Sequence, residues 1–201
     1  LSILIAYIFL SGKSYIFFAI QNTFLKGKTG PSIFDIKVFP TRKIENSKIH
    51  IWKKNIAHFT YILPKQLKKK LIKTKTNSYL IAKSNTIIFE RYYNGSNQFT
   101  LTNSFSAAKS IVALLVGIAI DEGFIKNENE LVSNYLTTYK KDKLKAKLTI
   151  AHLLNMSSGL KWSESGTNPF SENAEAYYGD NLNKMLLDLK IEKEPGTFFN
   201  Y

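Results

Sequence analysis

The sequence predicts an α+β chain, and three observations carry that prediction. Two β-rich runs, Ser78 to Lys83 and Thr86 to Tyr93, flank the short polar pair Ser84-Asn85, which is a hairpin pattern. An apolar run then follows Ser106 without Gly or Pro until Gly117, as a buried helix would. Beyond it, the stretches Glu128 to Leu136, Thr149 to Met156 and Ala174 to Leu189 read as further helices separated by polar turns.

At the N-terminus, Leu1 to Leu10 is almost continuously apolar, Lys13 interrupts, and Tyr15 to Ile20 is apolar again. A membrane-crossing helix needs about twenty apolar residues, so this stretch is too short alone. Residues 1–22 read as the end of a membrane-spanning helix or uncleaved signal anchor, with a buried core helix as the other reading. The first residue is Leu rather than Met, and the chain reads as a fragment. Residues 23–76 follow as a basic connector, in which Gly30-Pro31 and Phe39-Pro40 are turn formers.

Charge separates the two halves. Leu1 to Glu90 holds 16 basic and 3 acidic residues, whereas Arg91 to Tyr201 holds 12 of each, so the whole net charge of +13 is N-terminal. It concentrates in the amphipathic run Lys65 to Lys75, which suits either anionic headgroups or a solvated helix face. Nucleic acid is not an expected partner. The basic run has no interleaved aromatics, and no zinc-finger spacing, RNA-binding motif or glycine-rich phosphate loop is present.

Chemistry concentrates in Ser106-Ala107-Ala108-Lys109. Residues three apart share a helix face, so hydroxyl and amine can meet. An amine kept neutral can take the serine proton during attack on a carbonyl. The position near a helix N-terminus also favours negative charge developing there. The competing reading is that Ser104 or Ser106 caps a core helix and Lys109 snorkels from its edge. A second match, Ser158-Gly159-Leu160-Lys161, has Gly inside it and reads as a turn.

Two later stretches accompany the first in fixed order: Leu148-Thr149-Ile150-Ala151-His152-Leu153-Leu154-Asn155-Met156-Ser157-Ser158-Gly159-Leu160, then Glu194-Pro195-Gly196-Thr197-Phe198-Phe199-Asn200-Tyr201. Together, over roughly Asn77 to Tyr201, they resemble the serine β-lactamase and penicillin-binding-protein superfamily. Within it, they are most similar to the branch of class C β-lactamases, D-aminopeptidases, carboxylesterases and 6-aminohexanoate-dimer hydrolases. The resemblance implies a catalytic domain over residues 77–201 with an antiparallel sheet flanked by helices plus an all-α lobe, truncated before the C-terminal strands. It implies Ser106 as nucleophile, Lys109 as the proton-abstracting amine and Tyr201 as the tyrosine that shuttles a proton. The family's Asn two residues beyond that tyrosine, and its strand carrying Lys or His followed by Ser or Thr and Gly, are expected past Tyr201.

The function expected is hydrolysis of an ester or amide, including a β-lactam or peptide, through an acyl-enzyme on Ser106. The fragment alone is expected to be inactive, and the protein membrane-anchored with its catalytic domain periplasmic or extracellular. Two alternatives stand beside it: a non-catalytic penicillin-binding sensor of the same fold, and a membrane-associated basic protein. No metal or other cofactor is expected, since there is no Cys and His50, His58 and His152 lack zinc-binding spacing. A Ser-His-Asp triad would draw on those same histidines, but no Gly-x-Ser-x-Gly elbow marks a nucleophile, and His152 reads as structural.

Overall fold

In a computed structural model, the described residues are 2–45, 48, 51–55 and 62–201. They group by contact into two units: the N-terminal residues up to Ile33 together with Ser104–Tyr201, and Phe34–Asn103.

The unit Phe34–Asn103 holds strands β1 (Lys53–Lys54), β2 (Ser78–Lys83) and β3 (Thr86–Tyr92), ordered β1-β3-β2. β2 and β3 pair antiparallel, and Lys83 opposite Thr86 leaves a two-residue loop. Ser84 (φ 48°) and Asn85 (φ 56°) are both left-handed, as the tight turn matching the strands' twist requires. The hairpin is therefore as the sequence predicts. On its other side β3 pairs with β1 in parallel, so the sheet is mixed rather than wholly antiparallel. Two 3₁₀ turns, Phe24–Lys26 in the other unit and Asp35–Val38 in this one, interrupt what the turn formers suggest is an extended connector. Helix α3 (Lys65–Lys73) realises the basic run, burying Leu71 while its lysines stay exposed.

Glu90 on β3 is buried, with Lys54 Nζ 2.6 Å from one carboxylate oxygen and the Tyr92 hydroxyl donating to the other. Burial, followed by that bond, pushes Tyr92 up to about 12. Burial, followed by the charges of Glu175 and Glu172, likewise pushes Tyr15 up to about 12. Both folded values lie above the ordinary tyrosine value of about 10, so the native state keeps protons that the unfolded chain loses. Their contribution to stability is whole below about pH 10 and is lost as pH rises through 12. An alkaline ultraviolet titration should show Tyr15 and Tyr92 ionising late, with each Tyr→Phe variant removing one late step. A titration lacking any late phase contradicts this.

The other unit begins with α1 (Ser2–Leu10) and α2 (Tyr15–Asn22), joined through Gly12 at φ 70°. No helix among the described residues is long and apolar enough to cross a membrane. α2 buries Tyr15, Ile16 and Ala19 and packs against α6 (Glu172–Tyr178). α4 (Ala107–Asp121) stops where Gly123 takes φ 78°. Its expected burial is not found: Ile111, Val112, Leu114 and Leu115 are each more than half exposed. The helix is apolar around most of its girth, whereas the described residues give only its Val116 a seat on the core cluster of Val132, Tyr139, Leu148 and Ile150.

Two helical expectations change in form. Residues 128–136 give only a 3₁₀ turn at Val132–Asn134. There the Val132 N–H donates to Leu148 O (2.8 Å) and the Ile150 N–H to Glu130 O (3.1 Å), bonds of an antiparallel bridge between Leu131 and Thr149 that take the place of helical ones. The stretch 174–189 is broken into α6 and α7 (Leu182–Asp188). Asn181 restarts the helix by accepting from the Lys184 N–H at 2.9 Å. Between these elements α5 (Ile150–Leu154) occupies the centre of the predicted helix Thr149 to Met156.

Candidate active site

Ser106 occupies the cap position of α4 yet makes no side-chain cap bond. Its Oγ instead receives Lys109 Nζ at 3.0 Å. The hydroxyl is thus committed to the amine one turn away, and the capping explanation of this serine fails. The Ser106 backbone N–H donates to no acceptor, so it is available to a developing oxyanion. Ser106 is half-buried and Lys109 is exposed.

Tyr201 reaches the same amine: Lys109 Nζ lies 4.9 Å from its ring centroid, a cation–π distance. No hydrogen bond joins the Tyr201 hydroxyl to Ser106 or Lys109, so the ring rather than the hydroxyl meets the lysine. All three residues singled out in the sequence therefore converge, although they span nearly half the chain.

The second motif explains how Tyr201 is delivered. After α5, the chain turns at Met156 (φ 55°) and Gly159 (φ 73°) and offers a row of carbonyls to the third motif. Ser157 O accepts from the Gly196 N–H (2.8 Å), Met156 O from the Asn200 N–H (2.8 Å), and Gly159 O from the Glu192 N–H (2.8 Å). Asn200 Nδ2 adds a bond to Trp162 O at 3.2 Å. Ser158-Gly159-Leu160-Lys161 is not the turn its glycine suggests: the turn falls earlier, at Asn155-Met156, and Leu160 forms an antiparallel bridge with Ile191. The backbone approach there is close, and a Cβ on Gly159 would lie 2.2 Å from Lys193 O.

His152 has a structural role. Its Nδ1 accepts from the Thr149 N–H (3.2 Å) while its own N–H donates to Thr149 Oγ1 (3.3 Å), a reciprocal cap of α5. Its Nε2 backs Gly196, where a Cβ would come within 2.9 Å. Gly196→Ala, also at φ 83°, should therefore destabilise by about 1–3 kcal/mol. Equal melting temperatures for variant and parent would refute this close packing. His50 and His58 lie outside the described residues.

Two features escape a sequence reading. Phe105, immediately before Ser106, has φ 45°, a conformation costing a bulky residue about 1–2 kcal/mol. Nothing in a lone Phe announces it. A cavity of about 620 Å³ opens beside Tyr15, Glu172, Glu175 and Tyr178, and none of Ser106, Lys109 or Tyr201 lines it. Volume alone does not make it the candidate site, because the Ser106–Lys109 contact lies elsewhere.

The described geometry can be set against known proteins. Residues 69–201 match the family model described as Beta-lactamase. No curated protein sequence matches the chain. Among solved structures, one named "Putative 6-aminohexanoate-dimer hydrolase from Bacillus anthracis" is similar with a TM-score of 0.66 at 20% identity. The similarity covers 84% of this chain and 50% of that one, so the chain spans about half the length of the structure it matches.

Proposed function

Given that the chain belongs to the Beta-lactamase family over residues 69–201, we propose that it contributes the nucleophile, base and tyrosine of a serine hydrolase acting on an ester or amide carbonyl. One observation carries the reading: the uncapped Ser106 hydroxyl lies 3.0 Å from Lys109 Nζ at the start of α4. Ser106 Oγ attacks the carbonyl carbon and its proton passes to Lys109 Nζ. The tetrahedral oxyanion receives the free Ser106 N–H, and the departing alkoxide or amine takes the proton back. Water then attacks the acyl-enzyme, releasing a carboxylic acid and restoring the serine. The Tyr201 hydroxyl is proposed to pass protons between these groups once its ring turns from the amine.

An ammonium group donates but cannot accept, so attack requires an uncharged amine, which removal of water favours. Lys109 is exposed, and cover over the apolar face of α4 would dry it. We therefore propose that residues 1–201 alone do not turn over substrate. The isolated polypeptide should bind a hydrophobic dye strongly and hydrolyse a p-nitrophenyl ester no faster than buffer does; weak dye binding with rapid turnover contradicts this. Mass-spectrometric mapping of a fluorophosphonate adduct on the full-length gene product tests the main reading, with the adduct expected on Ser106. Labelling without turnover would favour the penicillin-binding sensor.

Membrane attachment through the N-terminal segment, with the catalytic part exported, is our proposal for location. It is supported by Ile3 and Leu10 on α1, which stand 87% and 89% exposed. Release of the full-length protein from membranes by alkaline carbonate would count against it.

A further inference from the structure

The left-handed backbone at Phe105 must be held by its surroundings, because an aromatic residue avoids φ 45° when free. Its ring lies nearly parallel to that of Tyr177, with centroids 5.9 Å and planes 12° apart. Tyr177 stands on α6, half-buried, and meets the ring of Tyr178 edge-on at 5.0 Å. Tyr178 is buried and in turn meets Phe18 of α2 edge-on at 6.1 Å. Four rings thus run from α2 through α6 to the residue before Ser106.

That residue governs how α4 begins. Ser104 O accepts from the Ala107 N–H (3.1 Å), Phe105 O from the Ala108 N–H (3.0 Å) and Ser106 O from the Lys109 N–H (3.0 Å). Rotation at Phe105 would loosen this tight first turn and re-aim both the Ser106 hydroxyl and its free N–H. The hydroxyl–amine contact lies within this one turn, and a small misplacement there is costly.

We infer that Tyr177 is a positioning residue for Ser106, its ring clamping Phe105 in the left-handed conformation that sets the hydroxyl against Lys109. The inference rests on Ser106 being the nucleophile, as proposed above. Only the ring is needed, so Tyr177→Phe keeps the function and Tyr177→Ala loses it.

The test is acylation of Ser106 by a p-nitrophenyl ester in the full-length gene product, separating the maximal rate from the half-saturating concentration. Tyr177→Ala should lower the maximal rate about tenfold with half-saturation unchanged. Tyr177→Phe should match the parent. Glycine accepts positive φ freely, so in a Phe105→Gly background Tyr177→Ala should cost nothing further. A parental rate for Tyr177→Ala, or an equal loss in both backgrounds, overturns the inference. Should Tyr177→Ala fail to fold, Tyr177→Leu fills the space without a ring to stack and takes its place.

If nothing labels Ser106 in the parent, the hydrolase reading is what fails. The clamp is then decided by amide hydrogen exchange at Ala107, Ala108 and Lys109. Exchange about tenfold faster in Tyr177→Ala but not in Tyr177→Phe supports it, and unchanged exchange overturns it.

Discussion

Ser106→Ala in the full-length gene product should abolish fluorophosphonate labelling and lower ester hydrolysis by at least ~10³-fold. The Ser106 hydroxyl can bond covalently to a carbonyl carbon and lies 3.0 Å from the amine. Lys109→Arg is the sharper companion. Arginine keeps the positive charge and the donors but does not give up its proton in proteins, so it can hold Ser106 without serving as base. If Lys109 accepts the serine proton, Lys109→Arg should fall about 10²–10⁴-fold, close to Lys109→Ala. Should Lys109→Arg retain most of the rate, Lys109 acts only as a donor and the proposed mechanism is wrong. Tyr201→Phe preserves the ring against Lys109 Nζ while removing the hydroxyl, so a loss there isolates the phenol's share.

Gly159→Ala is the second large effect expected, at a residue that touches no substrate in the proposed mechanism. Two costs combine. A left-handed φ of 73° strains any residue with a Cβ, and that Cβ would fall 2.2 Å from the backbone oxygen of Lys193. Backbone cannot swing aside as a flexible side chain can, so the strands of loop around Gly159 and Lys193 must separate. We expect a loss of ~3 kcal/mol or more, a melting point lower by about 6–12 °C, and an activity loss of about 10²-fold as Tyr201 leaves the amine. Gly117→Ala is the control: its Cβ meets nothing within 4 Å, and alanine in a helix interior should stabilise by about 0.5–1 kcal/mol. Similar melting points for the two variants would disprove the seating argument.

The serine and its lysine were legible because a spacing of three maps directly onto one helix face. Tyr201 was legible only through resemblance, since one tyrosine among eleven at the end of a loop carries no signal of its own. The turn at Ser84-Asn85 and the stop at Gly123 were legible for a local reason: positive φ selects small or polar residues. The break between α6 and α7 was less so, because Asn181 caps as well as continues a helical pattern, and only its bond to the Lys184 N–H distinguishes the two. The exposure of α4 was not legible for a related reason. Apolar side chains show that a face can be buried, not which neighbour buries it.

The sequence by itself determined the helix start that pairs Ser106 with Lys109 and the hairpin, because each depends on residues within a turn or two of one another, and the order of the three motifs, which is read directly along the chain. Only the tertiary structure decided that the carbonyls around Met156 and Gly159 seat the segment ending at Tyr201, that His152 Nε2 backs Gly196, and that Phe105 is bent against Tyr177. Those outcomes are contacts between segments distant along the chain, set by backbone approach and ring packing, and no local pattern of residue types specifies them.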